Sequence, residues 1–267
     1  MNERPRLVAT DLDGTLVRSD ETISDRTRAV LAKVEEAGVP LVLITGRPPR
    51  WMHMIEEQTG HAGVALVANG AAEYDLHTGE LLRTDPILPD VAREVVRRLS
   101  EAIPDAVFAG ETGVLFYREE TYRSQFQTPD TRIVDRDHVT AHPLLKLLAR
   151  TRSLNADELL AAAVAVVPPE LATLTHSSRD GLLEMGAAGV SKASALARVA
   201  REQGVDAADV VVFGDMPNDI PMLSWAGRSY AVANAHPEAR AAAKHSAPSN
   251  DEDGVAQILE SWFPASS

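Results

Sequence analysis

The chain has 267 residues, with 26 Lys and Arg against 39 Asp and Glu, and its formal net charge of −13 excludes an electrostatic clamp on nucleic acid. It has no cysteine, which excludes disulfides, thiolate metal sites and cysteine nucleophiles together and leads us to expect a reducing, cytoplasmic setting. The length suits one large domain or two modest ones of roughly 100–200 residues each, and no apolar run approaches the ~18 residues of a membrane span.

The start, residues 1–6, is charged and runs straight into a strand-like stretch, so no secretory signal is expected. Residues 7–9 read as a first strand. Ile23, Thr27, Val30, Leu31 and Val34 then recur at three and four, which predicts a helix over 24–37 stopped by Gly38. Residues 39–44 and 62–67 read as further strands, the second leading into Asn69-Gly70, and 73–82 reads as a hairpin around Thr78-Gly79. Strand alternating with helix predicts a parallel sheet wound by helices.

The period changes from about residue 85 to residue 185, where helices over 91–99 and 156–166 alternate with short strands at 114–117 and 172–175. This predicts an inserted α+β domain. A helix over 191–203, strands at 210–213 and 230–233 and a helical Ala-rich piece at 239–243 then resume the first pattern. The expected division is a core over 1–83, an insert over 84–185 and the core again over 186–267, with hinges near 82–86 and 183–189.

Four clusters carry chemistry. Asp11 and Asp13 are two apart at the end of the first strand, so both side chains leave on one side, and Gly14 is free to turn. Two such carboxylates about 4 Å apart repel by about 4 kcal/mol at an effective dielectric near 20, a cost that a divalent cation or a shared proton removes. In Gly214-Asp215-Met216-Pro217-Asn218-Asp219 the carboxylates are four apart, and a helical turn begun near Pro217 brings them towards one point. Hard oxygens from both clusters suit Mg²⁺. Thr45-Gly46-Arg47 offers a hydroxyl, exposed backbone N–H groups and a guanidinium to a phosphate, and Lys192 opens a predicted helix where an ammonium can hold an anion. Taken singly, each also reads as an ordinary solvated turn or an exposed lysine. Their shared placement past strand ends or at a helix start is where open α/β sheets bind ligands. His138 and His142, four apart, have no third ligand in the sequence and are expected on the surface.

Asp11-Leu12-Asp13-Gly14-Thr15-Leu16, Thr45-Gly46-Arg47, Gly189-Val190-Ser191-Lys192 and Gly214-Asp215-x-x-Asn218-Asp219-x-x-Met222, in this order, resemble the four motifs of the haloacid dehalogenase superfamily, and more narrowly its Cof-type phosphatases. Asn234-Ala235 and 250–255 resemble the end of such a core, while Met216-Pro217 departs from the Gly or Ser that many relatives place after the motif aspartate.

The resemblance implies a Rossmann-like α/β core with an inserted α+β cap, and a Mg²⁺-dependent hydrolase of small phosphorylated metabolites. It implies Asp11 as nucleophile and Asp13 as acid and base. Metal ligands would be Asp11, the carbonyl of Asp13 and Asp215, with Asp219 ordering their outer shell. Thr45, Gly46, Lys192 and Asn218 would bind the phosphoryl group and Arg47 the substrate. A phosphomutase or a non-catalytic phosphate sensor are the alternatives. No nucleic acid or membrane partner is expected, and the chain is expected as a monomer or homodimer.

Overall fold

The computed structural model describes residues 3–124, 128–178 and 181–264. Backbone contacts divide it into two units: one of residues up to Arg47, Trp51–Leu82 and the chain from Lys192 onward, the other of Pro48–Arg50 and Arg83–Ser191.

In the first unit, the apolar runs Leu7–Asp11, Leu41–Ile44 and Val210–Gly214 are buried along their whole length, as strands covered on both faces require. They lie at the centre of an eight-stranded sheet whose order is His245–Ala247, Arg228–Val232, Val210–Gly214, Leu7–Asp11, Leu41–Ile44, Val64–Val67, Ala72–Asp75, Leu81–Thr84. Pairing is parallel from His245–Ala247 through to Val64–Val67 and antiparallel at Ala72–Asp75. Successive strands run outward in one direction from Leu7–Asp11 and in the other from Val210–Gly214, so the winding reverses between these two, the usual ligand position in such a sheet.

Helix Asp25–Glu36 begins at Ser24, whose hydroxyl accepts from the Thr27 N–H, and it buries Thr27, Val30, Leu31 and Val34 as the spacing predicts. The first strand outruns its predicted end by two residues, because Thr10 pairs with Phe213 and Asp11 with Ile44 deep in the sheet. These polar residues are invisible to an apolar-run criterion.

The second unit holds a six-stranded sheet in the order Ala172–Thr175, Leu182–Ala187, Lys146–Arg150, Val107–Glu111, Phe116–Arg118, Thr131–Ile133. Helices Pro89–Ala102 and Ala156–Val164 cover one face, packing Val95, Leu99, Leu159 and Ala163 against Phe108, Leu147, Ala149, Leu183 and Met185. The predicted strand at 114–117 starts only at Phe116, since Thr112 closes a turn by donating its N–H to the Leu115 carbonyl. Leu182–Ala187 pairs with Lys146–Arg150 and Ala172–Thr175, so residues 186 and 187 belong to this sheet. The return to the first unit falls at Lys192 rather than at 186. Residues 48–50, expected in the core, group with the insert. His138 and His142 form an aromatic group with Tyr117, at 5.4 and 5.0 Å between ring centroids.

Candidate active site

Asp11 ends the first strand, Thr45 follows the second, and Asp215 follows Val210–Gly214, so parallel pairing brings all three to the same edge of the sheet. Chain direction alone places them. Gly14 has φ +77°, and a Cβ there would lie 2.5 Å from Asp215 Oδ2, so glycine is needed both for the backbone and for the approach of the two loops. Thr15 Oγ1 donates to Asp215 Oδ1 at 3.1 Å. Asn234 Nδ2 donates to the Gly14 carbonyl at 2.7 Å, fixing the same turn from the other side.

Lys192 starts helix Lys192–Glu202 and is 1 % exposed. Its Nζ donates to Asp11 Oδ1 at 2.5 Å and to Asp219 Oδ1 at 2.7 Å. Asp219, fully buried, accepts the backbone N–H groups of Asp215 (2.9 Å) and Met216 (3.0 Å) on its other oxygen. The turn Pro217–Asp219 is therefore closed by the amides of 215 and 216, and a proline at 217, which lacks an N–H, takes nothing from it. The unusual Met216-Pro217 pair leaves the loop intact.

One oxygen from each of Asp11, Asp215 and Asp219 lies within 4.8 Å of the others, the one such group of potential metal ligands among the described residues. Burial pushes Asp11 well above the ordinary carboxylate value against the pull of Lys192, and the other acids add to the rise. Burial, followed by the neighbouring Asp219 carboxylate, raises Asp215 to about 7. Burial opposes the charge on Lys192, yet Asp11 and Asp219 outweigh it and push its pKa up, so the ammonium is permanent. One cation among three carboxylates leaves the site short of positive charge.

Asp13 is more open. Arg47 grips it through Nε at 2.9 and 3.0 Å and Nη2 at 2.6 Å, and Thr45 Oγ1 lies 3.5 Å from Asp13 Oδ2. The Arg47 N–H donates to Thr45 Oγ1 at 3.0 Å, closing the Thr45-Gly46-Arg47 loop. Asn218, 5 % exposed, donates from Nδ2 to Asn69 Oδ1 at 3.1 Å. The structure thus brings Asp11, Asp215, Asp219 and Lys192 together and sets Asp13, Thr45 and Arg47 in a second connected group. Asn69, Thr15 and Asn234 escaped the sequence reading as site residues. Asn69-Gly70 had shown only as a turn, and nothing local marks the other two as partners of Gly14 and Asp215.

The family model described as haloacid dehalogenase-like hydrolase matches residues 8–259. The 5-amino-6-(5-phospho-D-ribitylamino)uracil phosphatase YcsE of Bacillus subtilis is 27% identical over 96% of this chain and 95% of its own length. An HMP-PP phosphatase of Escherichia coli is 30% identical over 90% of the chain and 88% of its own. The crystal structure of SMU.1108c from Streptococcus mutans matches with a TM-score of 0.85 at 22% identity, covering 98% of this chain and all of that one, and shares the fold.

Proposed function

The chain belongs to the haloacid dehalogenase-like hydrolases, as a phosphatase of their Cof-type branch, and from that premise we propose that it hydrolyses phosphomonoesters of small metabolites, such as sugar phosphates, through an aspartyl-phosphate on Asp11. The observation that carries this reading is the buried Lys192 ammonium bonded to both Asp11 and Asp219, with Asp215 beside them. The names of relatives from two bacteria, each a phosphatase of a small phosphorylated compound, support the substrate class. The lack of cysteine fits a cytoplasmic enzyme.

The residues suit Mg²⁺. Hard carboxylate oxygens are gathered within 4.8 Å of one another, and burial, with the neighbouring acids adding to it, pushes Asp11 and Asp215 towards neutrality, a cost that a bound cation relieves. Asp11, Asp215 and the Asp13 carbonyl would hold the ion. Asp219 already spends one oxygen on Lys192 and the other on two backbone amides, so its part is to fix the shell around them. The ion, when bound, would neutralise charge on the phosphoryl group and on Asp11.

With Oδ1 of Asp11 held by Lys192, the second oxygen attacks phosphorus and the bond to the leaving oxygen breaks. Asp13, as the acid, gives its proton to that oxygen. Water then attacks the aspartyl-phosphate, Asp13 takes a proton from it, and phosphate leaves with Asp11 restored. Arg47 now rests on Asp13; an incoming phosphoryl dianion competes for the same guanidinium and frees the acid. Lys192 and Thr45 steady the remaining phosphoryl oxygens, since this transfer asks mainly for positioning and charge.

The test is a panel of phosphorylated metabolites assayed with Mg²⁺, alongside Asp11→Asn. The wild type should release phosphate from at least one and the variant from none. Turnover by a folded Asp11→Asn protein would remove Asp11 as nucleophile, and a requirement for a bisphosphate activator would reassign the chain to phosphomutases.

A further inference from the structure

The turn after strand Val64–Val67 carries three successive residues in the left-handed region: Ala68 at φ 51°, Asn69 at φ 60° and Gly70 at φ 91°. Only glycine adopts that region freely and asparagine tolerates it, so an alanine there marks a turn held by its surroundings. The holding contacts are visible. The Ala68 N–H donates to the Arg47 carbonyl at 2.8 Å, the Asn69 N–H to the Thr45 carbonyl at 2.9 Å, and the Thr45 N–H to the Leu66 carbonyl at 2.9 Å. The turn is thereby tied to both ends of the Thr45-Gly46-Arg47 loop.

On its side-chain side the same turn meets the second motif cluster. Asn218 Nδ2 donates to Asn69 Oδ1 at 3.1 Å, while the buried Asn218 Oδ1 has no hydrogen-bond partner among the described residues. A buried amide oxygen without a partner is costly unless a ligand completes it. Asn218 lies in the turn Pro217–Asp219, beside the carboxylate that holds Lys192. One edge of its amide is committed to Asn69 and the other edge is left over.

We propose that Asn69 is a positioning residue for the phosphoryl site: by accepting from Asn218 Nδ2 it fixes the plane of the Asn218 amide, so that Oδ1 and the second N–H are presented to the phosphoryl group and its hydroxyl or water. Through its backbone, the same residue sets the Thr45 loop, so the turn registers two phosphate-binding segments that lie far apart in the chain. The inference rests on the phosphatase reading above.

A double-variant cycle tests it, with p-nitrophenyl phosphate as substrate and orthophosphate as competitive inhibitor. Asn69→Gly removes the side chain and keeps the left-handed backbone, so the turn persists. It should lower kcat/KM about tenfold and weaken orthophosphate inhibition by a similar factor, the worth of one misplaced hydrogen bond. Asn218→Ala should cost at least as much, and the double variant no more than Asn218→Ala alone, because Asn69 acts through Asn218. A merely structural Asn69 would reduce activity by the same factor with or without Asn218. Losses that multiply, or an Asn69→Gly enzyme indistinguishable from wild type, overturn the proposal. A wild type that turns over neither p-nitrophenyl phosphate nor any metabolite in the panel instead overturns the phosphatase reading, and this inference with it.

Discussion

Replacing Asp215 by Asn should make the metal-free protein more stable, and more so as the pH rises. Asp215 titrates at about 7 in the fold against 3.8 as an ordinary aspartate, first because it is buried and then because Asp219 stands beside it. Below about pH 3 it carries a proton whether folded or not and costs nothing. As the pH rises from about 3 through 7 the unfolded chain ionises freely while the folded one resists, so stability present at low pH is progressively lost. At 1.36 kcal/mol per unit, a rise of about three units amounts to about 4 kcal/mol at pH 8 and about 1 kcal/mol at pH 4.5. Asparagine keeps an acceptor for Thr15 Oγ1 and removes the charge. The assay is urea unfolding in chelator, followed by tryptophan fluorescence; Trp51, Trp225 and Trp262 all belong to the first unit, so the signal reports the unit that carries the site. Asp215→Asn should exceed wild type by about 2–4 kcal/mol at pH 8, with the gap closing towards pH 4.5. Mg²⁺ should close most of that gap, since a ligand at 100 times its Kd adds about 2.7 kcal/mol to the protein that binds it. A variant no more stable than wild type at pH 8, or a gap independent of pH, would refute the charge argument.

Three further outcomes follow from the same geometry. Asp13→Asn should slow turnover of alkyl phosphates by about 10²–10⁴-fold and that of p-nitrophenyl phosphate far less, because a good leaving group departs without a proton; equal losses would show that Asp13 is not the acid. Lys192→Ala should lower kcat by about 10²–10³-fold with no rescue by added Mg²⁺, whereas the activity of Asp215→Asn should recover in part, so titrating the metal against both variants separates the two roles. Replacing residues 83–191 by a short linker should leave a core that cleaves acetyl phosphate slowly and no longer ranks natural metabolites; an unchanged ranking would make the insert structural only.

What could be read from the sequence was local. Asp11 with Asp13, and Asp215 with Asp219, announce themselves because strand and helical spacing put each pair on one side of a short segment. The alternation of apolar runs and amphipathic stretches was enough for the parallel sheet. The contacts that tune the site span the chain and have no local mark: Arg47 on Asp13 crosses 34 residues, Asn218 on Asn69 crosses 149, and Asn234 on the Gly14 carbonyl crosses 220. Strands Val107–Glu111, Lys146–Arg150 and Leu182–Ala187 were missed for a related reason. Each carries a buried charge, Glu111, Lys146 or Glu184, that ends or interrupts the short apolar run on which strand recognition depends.

Buried charge is present in both units, and in the first it gathers three acids round one cation. In the second unit Lys146 pairs with Glu184, and Arg50 with Glu111 at 2.5 Å. Breaking such a buried pair costs about 3–5 kcal/mol because a lone buried charge remains. In the first unit a single ammonium, Lys192, serves Asp11 and Asp219 with Asp215 close by. No rearrangement of those four groups reaches neutrality unless two protons are taken up, and the raised values of Asp11 and Asp215 lean that way. A fold selected only for stability gains nothing from that deficit, since an amide at 215 would halve it. The deficit has a use only if a cation and a phosphoryl group arrive together, the first supplying the missing charge and the second meeting the ammonium.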